Sequence, residues 1–314
     1  MIRWGTVTTT NAPLPRILDF AAWHLEQGAQ RLYIYLDDAD PAAAAALSAH
    51  PKVRVVTTDA AWWAKRGKRP ETHQVRQTRN ARHANNRKSE LDWLAHVDVD
   101  EFLLPARPLA EQLADLPRDC LCARVRPVEA LAAAPDQAET LFKAFPLDQA
   151  ARQRAAEACF PTWGRHLSGG FLSHVAGKLF FRPGTEGLDI RIHNVRLGDQ
   201  LNPGEHPLPD TELGHFHAAD WAHFLSAYRF RLDRGSYRAE LKPQARGEGA
   251  VSLNTLFATI EKEGGETALR SFYNEVCTAT PELIKRLSDH GLLRRRTLNL
   301  PALRASHFPG APQI

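Results

Sequence analysis

The sequence predicts an α/β fold: a mostly parallel central sheet with helices on both faces, followed by a helical C-terminal extension. Two observations carry this. Through about the first hundred residues, strand-length apolar runs alternate with segments of helical period. The run at 91–97 is apolar on both of its faces, as a central strand of a parallel sheet is.

Residues 2–8 read as the first strand. Leu14, Ile17, Leu18, Ala21 and Leu25 then fall at helical spacing within 13–27, with prolines at the start and Gly28 just past the end. RLYIYL at 31–36 and VRVVT at 53–57 are strands, separated by a helix that opens at Asp40-Pro41. A polar helix over 71–89 leads to the strand at 91–97. Further on, 121–127 and 177–183 read as strands, 135–158 as an Ala- and Gln-rich helix and 198–212 as a loop. Asp220 caps an amphipathic helix that buries Trp221, Phe224, Leu225, Tyr228 and Leu232 and ends at Gly235. A polar connector begins near 236, with short helices at 266–277 and 281–290. The division implied is 1–235, with a variable insertion near 106–175, and 236–314.

The chain has 314 residues and a net charge of +4, which suits anionic small ligands and is too balanced to call for nucleic acid. Its four cysteines follow neither a disulfide framework nor a zinc pattern, so a reducing, cytoplasmic setting is expected. No apolar run approaches the ~18 residues of a membrane span. Arg294, Arg295 and Arg296 suit either a helix C-terminus or peripheral contact with anionic lipid headgroups.

The chemistry concentrates in Asp98-Val-Asp100-Glu101, which follows the strand at 91–97. In parallel sheets, ligands bind beyond the carboxyl ends of strands. Carboxylates this close repel one another and call for compensation, and a divalent cation bound to oxygen ligands and substrate phosphates supplies it. The stretch Trp93 to Phe102 resembles the family 2-like glycosyltransferases, whose signature is an apolar strand ending in D-x-D-E-F. Thr9, Thr10 and Asn11 resemble that family's first strand-to-helix turn, Asp37 and Asp38 its nucleotide-facing acidic strand end, and Arg79-Asn80-Ala81 the start of its helix before the D-x-D strand.

The resemblance implies a GT-A fold. It also implies transfer of a sugar, a hexose above all, from a nucleoside diphosphate sugar (UDP-linked) to a glycan or lipid-linked acceptor, with inversion. It assigns Asp98 to the donor and Asp100 to a Mn²⁺ or Mg²⁺ ion. His215, in Gly214-His215-Phe216-His217, looks like the family's further metal ligand, with His217 and His193 as alternatives. Imidazole favours Mn²⁺.

Arg76, Arg79 and His83 share a helix face, from which an arginine would reach the pyrophosphate. Trp62 and Trp63 beside Lys65, Arg66, Lys68 and Arg69 suit either a sugar acceptor site or a core anchor. Glu101, Asp189, Glu212 and Asp220 are the conceivable general bases, with Asp220 competing as a helix cap and Glu101 as an organiser of the turn. A metal-dependent nucleotidyltransferase or phosphodiesterase is the rival enzyme class, but neither G-x-x-x-x-G-K-[ST] nor G-x-G-x-x-G is present. A glycan-binding protein without turnover is the non-enzyme rival.

Overall fold

The computed structural model describes residues 1–87, 90–133, 138–218, 220–233 and 251–311. Lys88, the opening of the helix expected from 135, Gly235 and the connector from 236 lie outside the described residues. The chain forms two compact units: 1–127, 176–213 and 299–314 make the first, 128–175 and 214–298 the second.

In the first unit β1 (Trp4–Thr10) leads to α1 (Leu14–Glu26), β2 (Arg31–Leu36), α2 (Pro41–Ser48), β3 (Val53–Thr57), α3 (Ala60–Ala64), α4 (His73–Asn85) and β4 (Trp93–His96). The alternation read from the sequence is therefore present, with α4 shorter than expected. Local chemistry sets the boundaries. Asp40 Oδ1 accepts from Ala43 N at 2.9 Å to start α2. Past α1, Gly28 takes φ 92°, which costs a glycine nothing. The sequence reading missed α3, a single turn capped by Asp59, whose Oδ1 accepts from Trp62 N at 2.8 Å. Trp63 is core there, 2% exposed, as one of its two readings required.

β5 (Glu101–Pro105), α5 (Leu109–Ala114) and β6 (Cys122–Ala130) follow, and the chain enters the second unit within β6. β7 (Thr140–Lys143) and α6 (Gln149–Cys159) replace the single helix expected over 135–158. Thr140-Leu-Phe-Lys143 gains its strand form by pairing with Glu129–Ala130 and with 293–296, partners that a local reading does not see.

Back in the first unit come β8 (Lys178–Phe181), β9 (Leu188–Ile190), β10 (Val195–Leu197), β11 (Gln200–Leu201) and β12 (His206–His215), within which the chain passes to the second unit after Leu213. The expected loop at 198–212 is thus largely strand. Pro207 and Pro209 are exposed on either side of the buried Leu208, and Asp210 O accepts from Ala106 N at 2.8 Å.

Here β3, β2, β1 and β4 lie side by side and parallel, and β8 and β6 extend the sheet antiparallel beyond β4. A small antiparallel sheet is formed by β9, β10 and β11. Val7, Tyr33, Tyr35 and Leu94 from the sheet share a core with Ala81 and Ala84 of α4.

The second unit holds α7 (Trp221–Asp233), α8 (Leu253–Cys277), α9 (Pro281–Asp289) and β13 (Leu293–Arg296). Asp220 caps α7, accepting from His223 N at 2.7 Å. Phe224, Tyr228, Phe257, Phe272 and Tyr273 form the centre of its core. Arg294, Arg295 and Arg296 stand in β13, antiparallel to β7, and not at a helix end. The chain closes in the first unit with α10 (Leu300–His307), where Arg304 meets Asp19 at 3.3 Å. No helix among the described residues is long and apolar enough to cross a membrane.

Candidate functional site

Because β1, β2 and β4 are parallel, their carboxyl ends emerge on one edge, and the strand order reverses at β1, between β2 and β4. Such switch points open a crevice. Thr10 ends β1, Asp37 follows β2, and Asp98 follows β4.

At Asp98 the chain turns sharply. Asp98 N donates to Glu101 Oε2 at 2.8 Å and Glu101 N donates to Asp98 O at 3.0 Å, a reciprocal pair that closes the turn. Glu101 therefore builds the D-x-D turn. Asp98 Oδ2 pairs with Lys178 Nζ at 2.8 Å, and the same ammonium lies 3.5 Å from Glu101 Oε2. Gln77 of α4 donates to Asp98 Oδ1.

Lys178 opens β8 and is 1% exposed. Burial alone would discharge it, but Asp98 and Glu101 outweigh that and push its pKa up. Burial likewise opposes the Asp98 charge, and Lys178 and His96 overcome it, holding the carboxyl well below the usual range. The compensation that the crowded carboxylates call for thus comes, for Asp98 and Glu101, from an ammonium of the chain itself.

His96, at the end of β4, is 3% exposed, and burial with Lys178 nearby pushes its pKa down to about 4. Its Nε2 is buried with no hydrogen-bond partner among the described residues. His193 Nδ1 lies 2.9 Å from Gly177 O, and it lines one shallow cleft with His96 and Asn194.

Asp37 is a second hub. Arg76 Nε donates to both of its carboxylate oxygens at 2.9 Å, Arg69 Nη2 reaches Oδ1 at 3.2 Å, and His73 Nδ1 lies 3.3 Å from Oδ2. Burial would raise its pKa, but the bonds from His73 and Arg76 prevail and keep it ionised. Asn80 Nδ2 donates to Thr9 Oγ1 at 3.1 Å, so two expected donor residues meet in the core. Thr10 Oγ1 accepts from Ala12 N at 3.0 Å, shaping the β1–α1 turn on which Asn11 is exposed. Asp38 is exposed and accepts from Ala39 N at 2.9 Å. Arg79 is exposed on α4.

Sequence reasoning therefore found the carboxylates but did not foresee that Gln77, Arg69, His73 and Lys178 pair with them. One signal was available: Gly177-Lys178-Leu-Phe-Phe181 puts a lone lysine at the head of an apolar strand.

Among the described residues no three His, Cys, Asp or Glu side chains are placed to hold a metal. Asp98 and Glu101 pair with Lys178, and Asp100 adds a third carboxylate whose charge also acts on that ammonium. A divalent ion held by one carboxylate and the oxygens of a bound diphosphate is an ordinary arrangement for Mg²⁺, so Asp100 fits that role. His215 and His217 belong to the second unit. Their rings lie 5.1 Å apart, His217 is 4% exposed, and Phe216 between them packs on Phe142.

No curated protein sequence matches the chain. Solved structures similar to it include HddC from Yersinia pseudotuberculosis, 9% identical, covering 73% of this chain and 100% of that one with a TM-score of 0.37. TarS 1–349 from S. aureus is 12% identical over 88% of this chain and 81% of that one, with a TM-score of 0.38. The galactosyltransferase LgtC, solved with donor and acceptor sugar analogs, is 10% identical over 90% and 99%, with a TM-score of 0.34. Residues 7–120, about a third of the chain, match the model of glycosyltransferase family 92, and that stretch contains Thr9, Asp37, Gln77, Asp98, Asp100 and Glu101.

Proposed function

We propose that this chain is a glycosyltransferase of GT-A type. It moves a sugar, a hexose in the first instance, from a nucleoside diphosphate sugar, preferably UDP-linked, to a glycan or lipid-linked acceptor. The observation that carries the reading is the gathering of Thr10, Asp37 and Asp98 at the switch point of parallel strands, inside the stretch that matches a glycosyltransferase family.

Asp37, its side chain 1% exposed and held ionised by Arg69, His73 and Arg76, anchors these cations at the nucleoside end of the site. Thr9, Thr10, Asn11 and Asn80 shape the turn beneath it, and Asp38, Arg76 and Arg79 stand at its rim. Asp98 meets the donor on its exposed side, since its side chain is 30% exposed although Lys178 is not. Asp100 carries the divalent ion, Mn²⁺ or Mg²⁺, which when bound neutralises charge on the departing diphosphate. His215 and His217 as further ligands rest on the sequence pattern alone. Inversion is the stereochemistry we propose. Among the conceivable bases, Asp189 is engaged by Arg82 and Arg191, Asp220 caps α7 and Glu101 builds the turn.

Calorimetric titration of UDP, GDP and their sugars, with and without Mn²⁺, tests the reading. Binding of one nucleotide family, strengthened by metal and stripped of that metal effect in Asp100→Asn, is the expected result. No binding of any of them would sink it.

A further inference from the structure

Between residues 65 and 87 stand eight lysines and arginines and a single acid, Glu71, a net +7 against +4 for the whole chain. Some of these cations are spent internally: Arg69 and Arg76 on Asp37, Arg82 on Asp189. Arg66 and Arg87 are exposed, and no carboxylate pairs with either among the described residues, although Arg66 Nη1 donates to Trp62 O at 3.2 Å.

The two guanidinium groups flank an aromatic floor. Arg66 lies 3.4 Å over the Trp62 ring, and the Trp62 and His83 rings meet edge-on at 4.8 Å. Tyr35 packs against both, and its hydroxyl lies 2.7 Å from His83 Nδ1. Arg87 stands 6.0 Å from the Tyr33 ring. Both arginines also act on His83, which burial and their charge keep neutral by lowering its pKa. The Trp62 indole N–H is buried with no partner among the described residues.

Edge-packed aromatics beside planar, weakly hydrated guanidiniums suit a ligand that has both a ring face and a negative charge. A membrane surface fits less well, because Val75 is the one large apolar residue exposed in this segment that could enter lipid. The floor is also tied to the strand-end site: α4 brings Gln77 to Asp98, and His83 lies about 9 Å further along the same helix.

We propose that Arg66, Arg87 and the Trp62–His83 pair form a subsite for an anionic sugar unit of the acceptor, a saccharide that carries a carboxylate or phosphate. The word acceptor rests on the transferase reading above. The subsite itself does not.

The test is calorimetry on the full chain with three probes: a galacturonic acid tetramer, neutral maltotetraose and phosphatidylglycerol vesicles, with UDP titrated alongside. The tetramer should bind at least tenfold more tightly than maltotetraose. Arg66→Ala/Arg87→Ala should weaken it at least tenfold while UDP affinity and circular dichroism stay unchanged. Should that double variant fail to fold, Arg66→Lys/Arg87→Lys keeps the charge, loses the planar stack and should still weaken the tetramer several-fold. Equal affinity for charged and neutral tetramers, or undiminished binding in the folded variants, overturns the subsite. So does vesicle binding that needs both arginines without tetramer binding. The nucleotides read the transferase proposal separately: failure of UDP, GDP and their sugars to bind, beside intact, arginine-dependent tetramer binding, overturns that reading and upholds the anion subsite, and nucleotide binding by the unaltered chain without tetramer binding does the reverse.

Discussion

Among the described residues each unit buries one lysine to 1% exposure and surrounds it with oxygen, yet the two clusters differ in kind. In the second unit, Lys143 Nζ donates to Gly170 O at 2.6 Å and Val276 O at 2.7 Å and pairs with Glu129 at 3.0 Å. Glu129 in turn accepts from Leu172 N and Ser173 N. Every donor and both carboxylate oxygens are used, and both side chains are at most 3% exposed. In the first unit, Lys178 meets two carboxylates, and one of them, Asp98, keeps a side chain that is 30% exposed at the strand-end crevice. A closed cluster can only hold the fold. An open one holds the fold and also presents a charged group whose orientation is fixed in advance.

That difference predicts different failures. Lys143→Met strands Glu129 as an uncompensated buried charge, which should cost about 3–5 kcal/mol. Urea unfolding measures it, and Lys143→Met/Glu129→Gln should recover part of the loss. If Lys143→Met also abolished nucleotide binding in the folded protein, the division between a structural and a functional lysine would be wrong.

Lys178→Met should cost less, about 3 kcal/mol, because Asp98 can regain water on its open side. Its larger effect falls on function. With the ammonium gone, Asp98 and Glu101 repel each other, the D-x-D turn loosens, and donor affinity should drop at least tenfold in calorimetry. Unchanged donor affinity would reduce Lys178 to a second copy of Lys143.

The sequence and the structure part company where contacts are distant. Strands β1 to β4 were legible because each buries a short β-rich apolar run, and Asp40 and Asp220 were legible because a cap acts within three residues. β7, β12 and β13 were not, since Thr140–Lys143 and Arg294–Arg296 become strand by pairing with each other across about 150 positions. The site split the same way. Asp98 stood out as a carboxylate behind an apolar strand, whereas its partner Lys178 lies 80 positions away and is brought there by the antiparallel pairing of β4 with β8.

A third effect separates acid sensitivity from the lysine clusters, where the charges nearby hold the Asp98 and Glu129 carboxyls below their usual range. The first unit buries two neutral histidines, His24 and His96, each with its pKa pushed down to about 4 by burial. His24 Nδ1 donates to Phe20 O at 2.8 Å while Nε2 faces Leu103 N at 3.4 Å, an arrangement that only the neutral ring satisfies. The folded pKa lies below the unfolded value of about 6.5, so the unfolded chain takes up protons first as pH falls. Stability should be full above pH 6.5, fall by up to a few kcal/mol between 6.5 and 4, and then lose the carboxylate contributions below 4. Urea midpoints at pH 7, 5.5 and 4.5 measure this, and His24→Gln should flatten the slope. A midpoint that does not move between pH 7 and 4.5 would contradict the burial of both rings.

The smallest effect is the most discriminating. Gln77→Ala removes the amide that donates to Asp98 Oδ1. On the open side of the cluster water can take its place, so the stability cost should stay within about 0.5–1.5 kcal/mol. The orientation of Asp98, however, is then set by Lys178 alone. A carboxylate pinned at both oxygens presents one geometry to a donor, and one pinned at a single oxygen presents several. Donor affinity should therefore fall several-fold while the urea midpoint barely moves. A closed cluster has no equivalent, because both oxygens of Glu129 accept from the Leu172 N–H, which no side-chain substitution removes, in addition to Lys143. Should Gln77→Ala lower stability and donor affinity by the same free energy, Asp98 would be as structural as Glu129, and the openness of its cluster would carry no function.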